Sequence, residues 1–265
     1  MSTLTTDQGI VHYQVFGRGR PVILLHGWLG SWGLWQQTMR YLSKEYRTYA
    51  MDFWGFGESG KKRETYSIGD FVSLVDQFME QLGIVKAPVI GHSMGGTVSM
   101  SFAIQYPHRV TKVGVIGSPV KGDSLAILLK LAGYPFIAKV VFSSMWALKL
   151  GIRIAAPMIT KDRRWPEMIS ADLSRTTLES FLLSIKSLRQ TDLTSQIKDI
   201  QVPILGMFGA KDNIVSPRQK DVLQREALHP SIAYFERAGH FVMLDEPDTF
   251  MKTLKDFLDE EASSN

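Results

Sequence analysis

The chain has 265 residues, a net charge of +4, 45% apolar and 21% charged side chains, and no cysteine. That length buries one large core and the composition is that of a globular protein, not a disordered one. The lack of cysteine excludes disulfides, thiol catalysis and thiolate metal sites. The first strand signal is a hairpin: residues 2 to 6 and 10 to 16 alternate apolar and polar side chains around Asp7-Gln8-Gly9. After the turn Gly17 to Pro21, Val22 to Leu25 is apolar on both faces and reads as a central strand that ends in His26-Gly27-Trp28-Leu29. A helix carrying Leu34, Trp35, Met39 and Leu42 follows, then a strand from Tyr46 to Met51 that runs into Asp52 to Ser59. Phe71, Leu74, Val75, Phe78 and Leu82 mark one face of a second helix.

The next run, Pro88 to His92, passes through Gly91-His92-Ser93-Met94-Gly95-Gly96 directly into a helical pattern reaching Gln105. A strand, a sharp turn with serine at its apex and a helix present a hydroxyl in open space at a helix N-terminus. Val110 to Ile116 is a further strand. From Pro119 to Ile197 no central strand appears, and Ser124 to Thr160 is rich in apolar residues at helical spacing, which predicts a helical cap. Alternation resumes with a strand over Pro203 to Phe208, a helix from Pro217, a strand from Ser231 to Glu236, the loop Arg237 to His240 and a final helix from Pro247 to Leu258. The expected fold is α/β, a mostly parallel, doubly wound, eight-stranded sheet, with residues 1–118 and 198–265 as its core domain and 119–197 as the inserted cap.

Ligands of such sheets bind beyond the carboxyl ends of the strands, which sorts the titratable residues. His12 lies within the first hairpin, and His108 and His229 precede strands. His26 is expected to brace its glycine turn, and His92 to point into the core beside the serine. His240, in a loop after the last strand, is the best general base. Asp52, Asp123 and Asp212 follow strands; Asp52 suits accepting loop N–H groups, and Asp212 alone occupies a tight loop that precedes His240 in the order expected for a serine turn of this kind. Serine hydroxyl, imidazole and carboxylate are what acyl transfer needs, and the N–H groups of Trp28 and Met94 are the natural donors to the oxyanion.

Together, Leu25 to Trp28, Asp52 to Ser59, Gly91 to Gly96, Gly209 to Asp212 and Gly239-His240 resemble the α/β-hydrolase family over nearly the whole chain. The resemblance implies a triad of Ser93, Asp212 and His240 and an oxyanion hole at Trp28 and Met94. Serine at position 93, where haloalkane dehalogenase and epoxide hydrolase relatives carry aspartate, argues against those activities. The chain looks most like the small serine carboxylesterases, acting on small-molecule esters without a metal or organic cofactor. Carbon–carbon bond hydrolases of ring-cleavage diketones use the same triad but often have asparagine where this chain has His92. A non-catalytic hydrolase-fold ligand-binding protein is the reading from another class.

Trp28, Leu29, Met94 and Phe241 adjoin catalytic positions and are expected to floor the substrate pocket. Between Lys121 and Arg164 eight Lys or Arg face only Asp123 and Asp162, so the cap is basic. Its apolar side is expected to line an acyl pocket and its basic side to favour anionic substrates or weak membrane-surface contact. No nucleic-acid motif is present. No uncharged run approaches the roughly 18 residues of a spanning helix, and the N-terminal residues show no basic segment before a long apolar run, so a cytoplasmic protein is expected.

Overall fold

The computed structural model describes residues 2–7, 9–61, 64–126 and 144–260. Its strands are β1 (Ser2–Thr6), β2 (Gly9–Phe16), β3 (Arg20–Leu25), β4 (Tyr46–Met51), β5 (Ala87–His92), β6 (Val110–Ile116), β7 (Ile204–Gly209) and β8 (Pro230–Phe235). They form one sheet in the order β1-β2-β4-β3-β5-β6-β7-β8. The hairpin β1–β2 joins β4 antiparallel, with Tyr13 opposite Met51, and every later pairing is parallel. Because β3 lies between β4 and β5, successive crossovers depart to opposite sides at β3, and the crevice this opens lies at the strands' carboxyl ends.

Central strands buried on both faces explain the unbroken apolar runs: Val22 to Leu25 are wholly buried. On one face α2 (Ile68–Gln81) and α3 (Met94–Gln105) pack through Phe71, Phe78 and Phe102; on the other, α1 (Gln36–Leu42) and a C-terminal helix (Pro247–Asp259) pack through Met39, Phe250 and Phe257. Ser67 caps α2 and Asp70 returns the bond to its N–H, a capping box that starts the helix where the apolar stripe begins. Helix α3 carries no polar stripe, since every residue from Met94 to Ala103 is buried.

Between β6 and β7 the described chain adds no strand to the sheet. It forms α4 (Met145–Ile159), α5 (Trp165–Leu173) and α6 (Leu178–Gln190), followed after β7 by α7 (Gln219–Glu226), a short α8 (Val242–Asp245) and the C-terminal α9 (Pro247–Asp259). The stretch 127–143 of the expected cap, with Lys130 and Lys139, lies outside the described residues. The sequence reading had no helix at Val242–Asp245, one turn that follows the His240 loop.

Candidate active site

Ser93 stands at φ 53° and ψ −120°, in left-handed territory that non-glycine residues avoid. Such strain, of order 1–3 kcal/mol, persists only where the surroundings dictate it. Here they do: Ser93 N–H donates to the Ile116 carbonyl at 2.8 Å, and the Ser93 carbonyl already accepts from Gly96 and Thr97 in the first turn of α3. A Cβ on Gly91 would strike the backbone of Gly95, one on Gly95 the carbonyls of Leu25 and His26, and one on Gly96 the Ser118 side chain. The turn therefore needs all three glycines. Backbone atoms cannot step aside, so Gly95→Ala should lose at least about 2 kcal/mol of stability, a melting point lower by roughly 4–8 °C, measurable by thermal unfolding.

Across the crevice, His240 Nδ1 lies 2.8 Å from Asp212 Oδ2, and the other carboxylate oxygen accepts the N–H groups of Ile214 at 2.8 Å and Val215 at 2.9 Å. A carboxylate held this way only accepts, so Nδ1 carries the imidazole proton and Nε2 keeps its lone pair. Gly117, at φ +53°, ends β6 beneath the pair; a side chain there would start 3.3 Å from both Asp212 Oδ2 and His240 Nδ1. Asp245 fixes the approach to His240. Its Oδ2 accepts Gly239 N–H at 2.7 Å, while its Oδ1 accepts the Thr160 hydroxyl and Lys161 N–H, both at 2.7 Å.

The loop after β3 completes the ring. His26 is buried and held neutral by desolvation; it accepts Phe53 N–H on Nε2 at 3.0 Å and donates Nδ1–H to the Gly27 carbonyl at 2.7 Å, bracing the turn as expected. A side chain on Gly27 would lie 3.1 Å from Ser93 Cβ, so the backbone entering Trp28 runs directly beside the serine. Leu29 adopts φ 60°, and the Trp28 indole N–H reaches Ser184 Oγ at 3.1 Å and the Phe181 carbonyl at 3.3 Å on α6. Met94, first in α3, has an N–H that the helix itself leaves unsatisfied. Asp52 accepts the N–H groups of Trp32 and Glu58 and contacts His12 Nδ1 at 2.8 Å, a loop fastener away from the serine.

Ser93, His240, His92, Trp28, Leu29 and Phe241 share one cavity of about 380 Å³ whose walls are otherwise almost entirely aliphatic and aromatic. Met94 departs from the expected pocket floor. As the first residue of a helix laid on the sheet, its side chain falls into the core, is fully buried and does not reach the cavity. His92 is buried as expected but also touches the cavity: burial and the neighbouring His240 hold its pKa far down, its Nε2–H donates to the His240 carbonyl at 3.0 Å, and its ring lies 4.7 Å from that of His240. No Lys or Arg lines the cavity among the described residues. Of the basic residues noted between Lys121 and Arg164, Lys121, Arg153, Lys161, Arg163 and Arg164 are exposed and none of these five lines the cavity. Among the described residues no group of three or more His, Asp or Glu side chains converges to hold a metal ion.

Asp172, on α5, is a cavity-lining acid that no motif in the sequence marks. Desolvation, helped by repulsion from Asp52 and opposed by a hydrogen bond from Ser31 and attraction to Arg175, pushes its pKa up to about 7. In the unfolded chain it titrates near 3.8. Between those values the folded protein keeps a proton that the unfolded chain has lost, so stability falls as pH rises through this window and stays reduced above it. Asp172→Asn removes that loss. The variant should melt above wild type at about pH 8, by up to about 4 kcal/mol of stability, with the gap closing toward about pH 4. A gap of equal size at both ends would contradict the burial of an ionising carboxyl.

A sequence profile of the family described as alpha/beta hydrolase fold matches residues 20–135. A pimeloyl-(acyl-carrier protein) methyl ester esterase of Vibrio parahaemolyticus is 24% identical over 93% of this chain and 97% of its own. A 3-oxoadipate enol-lactonase of Acinetobacter baylyi is 26% identical over 94% and 92%. Among solved structures, an esterase from Exiguobacterium antarcticum superposes with a TM-score of 0.85 at 19% identity, over 97% of this chain and 98% of that one.

Proposed function

We infer from its site that this chain, whose residues 20–135 match the α/β-hydrolase fold family, is a carboxylic ester hydrolase that works through a covalent acyl-enzyme on Ser93. The observation that carries the reading is the pairing of His240 with Asp212 opposite a strained Ser93, both opening on one apolar cavity. Ser93 Oγ attacks the ester carbonyl while His240 Nε2 takes the hydroxyl proton, and Asp212 steadies the imidazolium. The N–H groups of Trp28 and Met94 receive the negative oxygen. The carbonyl re-forms, the C–O bond to the alcohol breaks, and His240 returns the proton to the leaving oxygen. Water, deprotonated by the same imidazole, then cleaves the acyl-enzyme and releases the acid.

We take residues 119–197 as the cap that closes this cavity, and a cytoplasmic location is part of the same proposal. With aliphatic and aromatic walls and no lining cation among the described residues, the cavity suits neutral esters of small to medium acyl chains better than substrates bearing a free carboxylate. Initial rates on p-nitrophenyl esters from acetate to palmitate test the reading. Hydrolysis that peaks at short or medium chains and falls at palmitate is expected. No hydrolysis of any member would remove the ester reading, and turnover of a ring-cleavage diketone in its place would establish carbon–carbon hydrolysis.

A further inference from the structure

Apart from Lys149 and Arg153, helix α4 is apolar, MWALKLGIRIAAPMI, and among the described residues one of its faces packs inward. Leu148, Ile152 and Ile159 line the cavity, and Ala156 packs with Trp165 and Ile169 of α5. The opposite face carries Trp146, Leu150, Ile154 and Met158, one per turn, exposed by 74%, 51%, 71% and 74%. The other large exposed apolar side chains of the described residues (Ile10, Tyr41, Val85, Leu228 and Tyr234) lie on other elements or in loops. A soluble helix normally turns polar residues outward, and a contiguous apolar stripe marks a surface that is covered in use.

We propose that the outer face of α4 docks on an anionic lipid surface, with Trp146, Leu150, Ile154 and Met158 entering the headgroup boundary and Lys149 and Arg153 meeting lipid phosphates. Charge complementarity selects this occupant. From Ser144 to Pro166 the chain has five Lys or Arg and one acidic residue, Asp162; Arg153 stays exposed, its contact with Glu167 a loose 3.7 Å. Tryptophan and basic side chains beside an aliphatic stripe are the composition of helices that lie in a membrane interface. A second copy fits less well. Two such faces brought together would oppose their own lysines and arginines, and a stripe about 18 Å long and one side chain wide falls short of the roughly 800 Å² per partner that a stable dimer buries. No helix of the described residues is long and apolar enough to cross a membrane.

The placement also ties lipid contact to the site. The C-terminal turn of α4 gives its Met158 carbonyl to Asn213 Nδ2 at 2.9 Å, beside Asp212, and Thr160 and Lys161 bind the Asp245 carboxylate that holds Gly239, beside His240. The docked face is therefore the back of the wall that contains the acyl cavity.

Docking does not depend on the hydrolytic reading and is measured without turnover. Purified full-length protein is sedimented with vesicles of phosphatidylcholine alone and of equal parts phosphatidylcholine and phosphatidylglycerol. The mixed vesicles should carry it down, the neutral ones at least about tenfold less, and added salt should weaken the binding. Ile154→Asp and, separately, Lys149→Glu with Arg153→Glu should each lower binding to mixed vesicles by about tenfold or more while keeping the wild-type melting curve. The proposal is overturned if wild type stays in the supernatant with mixed vesicles, if both folded variants sediment like wild type, or if wild type is a dimer that Ile154→Asp splits without any vesicle binding.

Discussion

Ser93→Ala should fold with a wild-type melting curve to within a few degrees and lose about 10⁶-fold in kcat on p-nitrophenyl butyrate, with KM little changed. The size follows from the role. Without the hydroxyl no acyl-enzyme forms, and what remains is the modest effect of binding the ester beside the Trp28 and Met94 N–H groups. Folding should survive because the turn is held by Gly91, Gly95, Gly96 and the Ser93 N–H bond to Ile116, none of which uses the Ser93 hydroxyl. Alanine at φ 53° carries about the same backbone strain as serine. Stopped assays on both proteins separate the outcomes: a residual rate above about one hundredth of wild type would place the nucleophile elsewhere.

Asp212→Asn should lower kcat by about 10⁴-fold, with a smaller effect on KM. Asp212 receives Nδ1–H of His240 on one oxygen and the N–H groups of Ile214 and Val215 on the other. With its carbonyl oxygen facing Ile214 and Val215, the asparagine amide turns its NH₂ toward His240 and donates to Nδ1, which forces the ring proton onto Nε2, the atom that accepts from Ser93 in the proposed mechanism. The geometry stays and the tautomer is wrong. The measurement that reads this is the pH–rate profile: activity of the variant should recover partly at high pH, where hydroxide replaces the imidazole as base, a rise that wild type does not show. A loss of only a few-fold, with an unchanged profile, would mean that Asp212 merely packs against the ring.

Most of the scaffold was legible because its central strands are buried on both faces and most of its helices on one. Tyr46–Met51 and Val110–Ile116 stand where the apolar runs begin and end, since little but burial decides such segments. The Ser93 turn was readable because only glycine fits at positions 91, 95 and 96, and steric exclusion of that kind leaves a mark in sequence. Contacts between distant segments leave none. Asp245 sits in an ordinary Leu-Asp-Glu-Pro run, and its hold on Gly239 and Thr160 arises only when α4 and the last loop meet. Asp172 looked like a polar position on a cap helix; its burial depends on Ser31 approaching from 141 positions away. Met94 misled for the opposite reason: adjacency to Ser93 says where its N–H lies but not where its side chain goes, which the packing of α3 on the sheet decides. The described helices between β6 and β7 were readable as helical, and the apolar character of α4 was visible in its sequence, but which side faced the cavity was not.

The most direct test of the central claim is mass spectrometry of the intact protein after reaction with a fluorophosphonate, which traps an activated serine as a stable phosphonyl ester. One adduct per chain is expected, mapped by proteolysis to the peptide carrying Gly91-His92-Ser93-Met94-Gly95, absent from Ser93→Ala and formed far more slowly in Asp212→Asn. An unmodified wild-type protein, or an adduct on any other residue, would contradict the account.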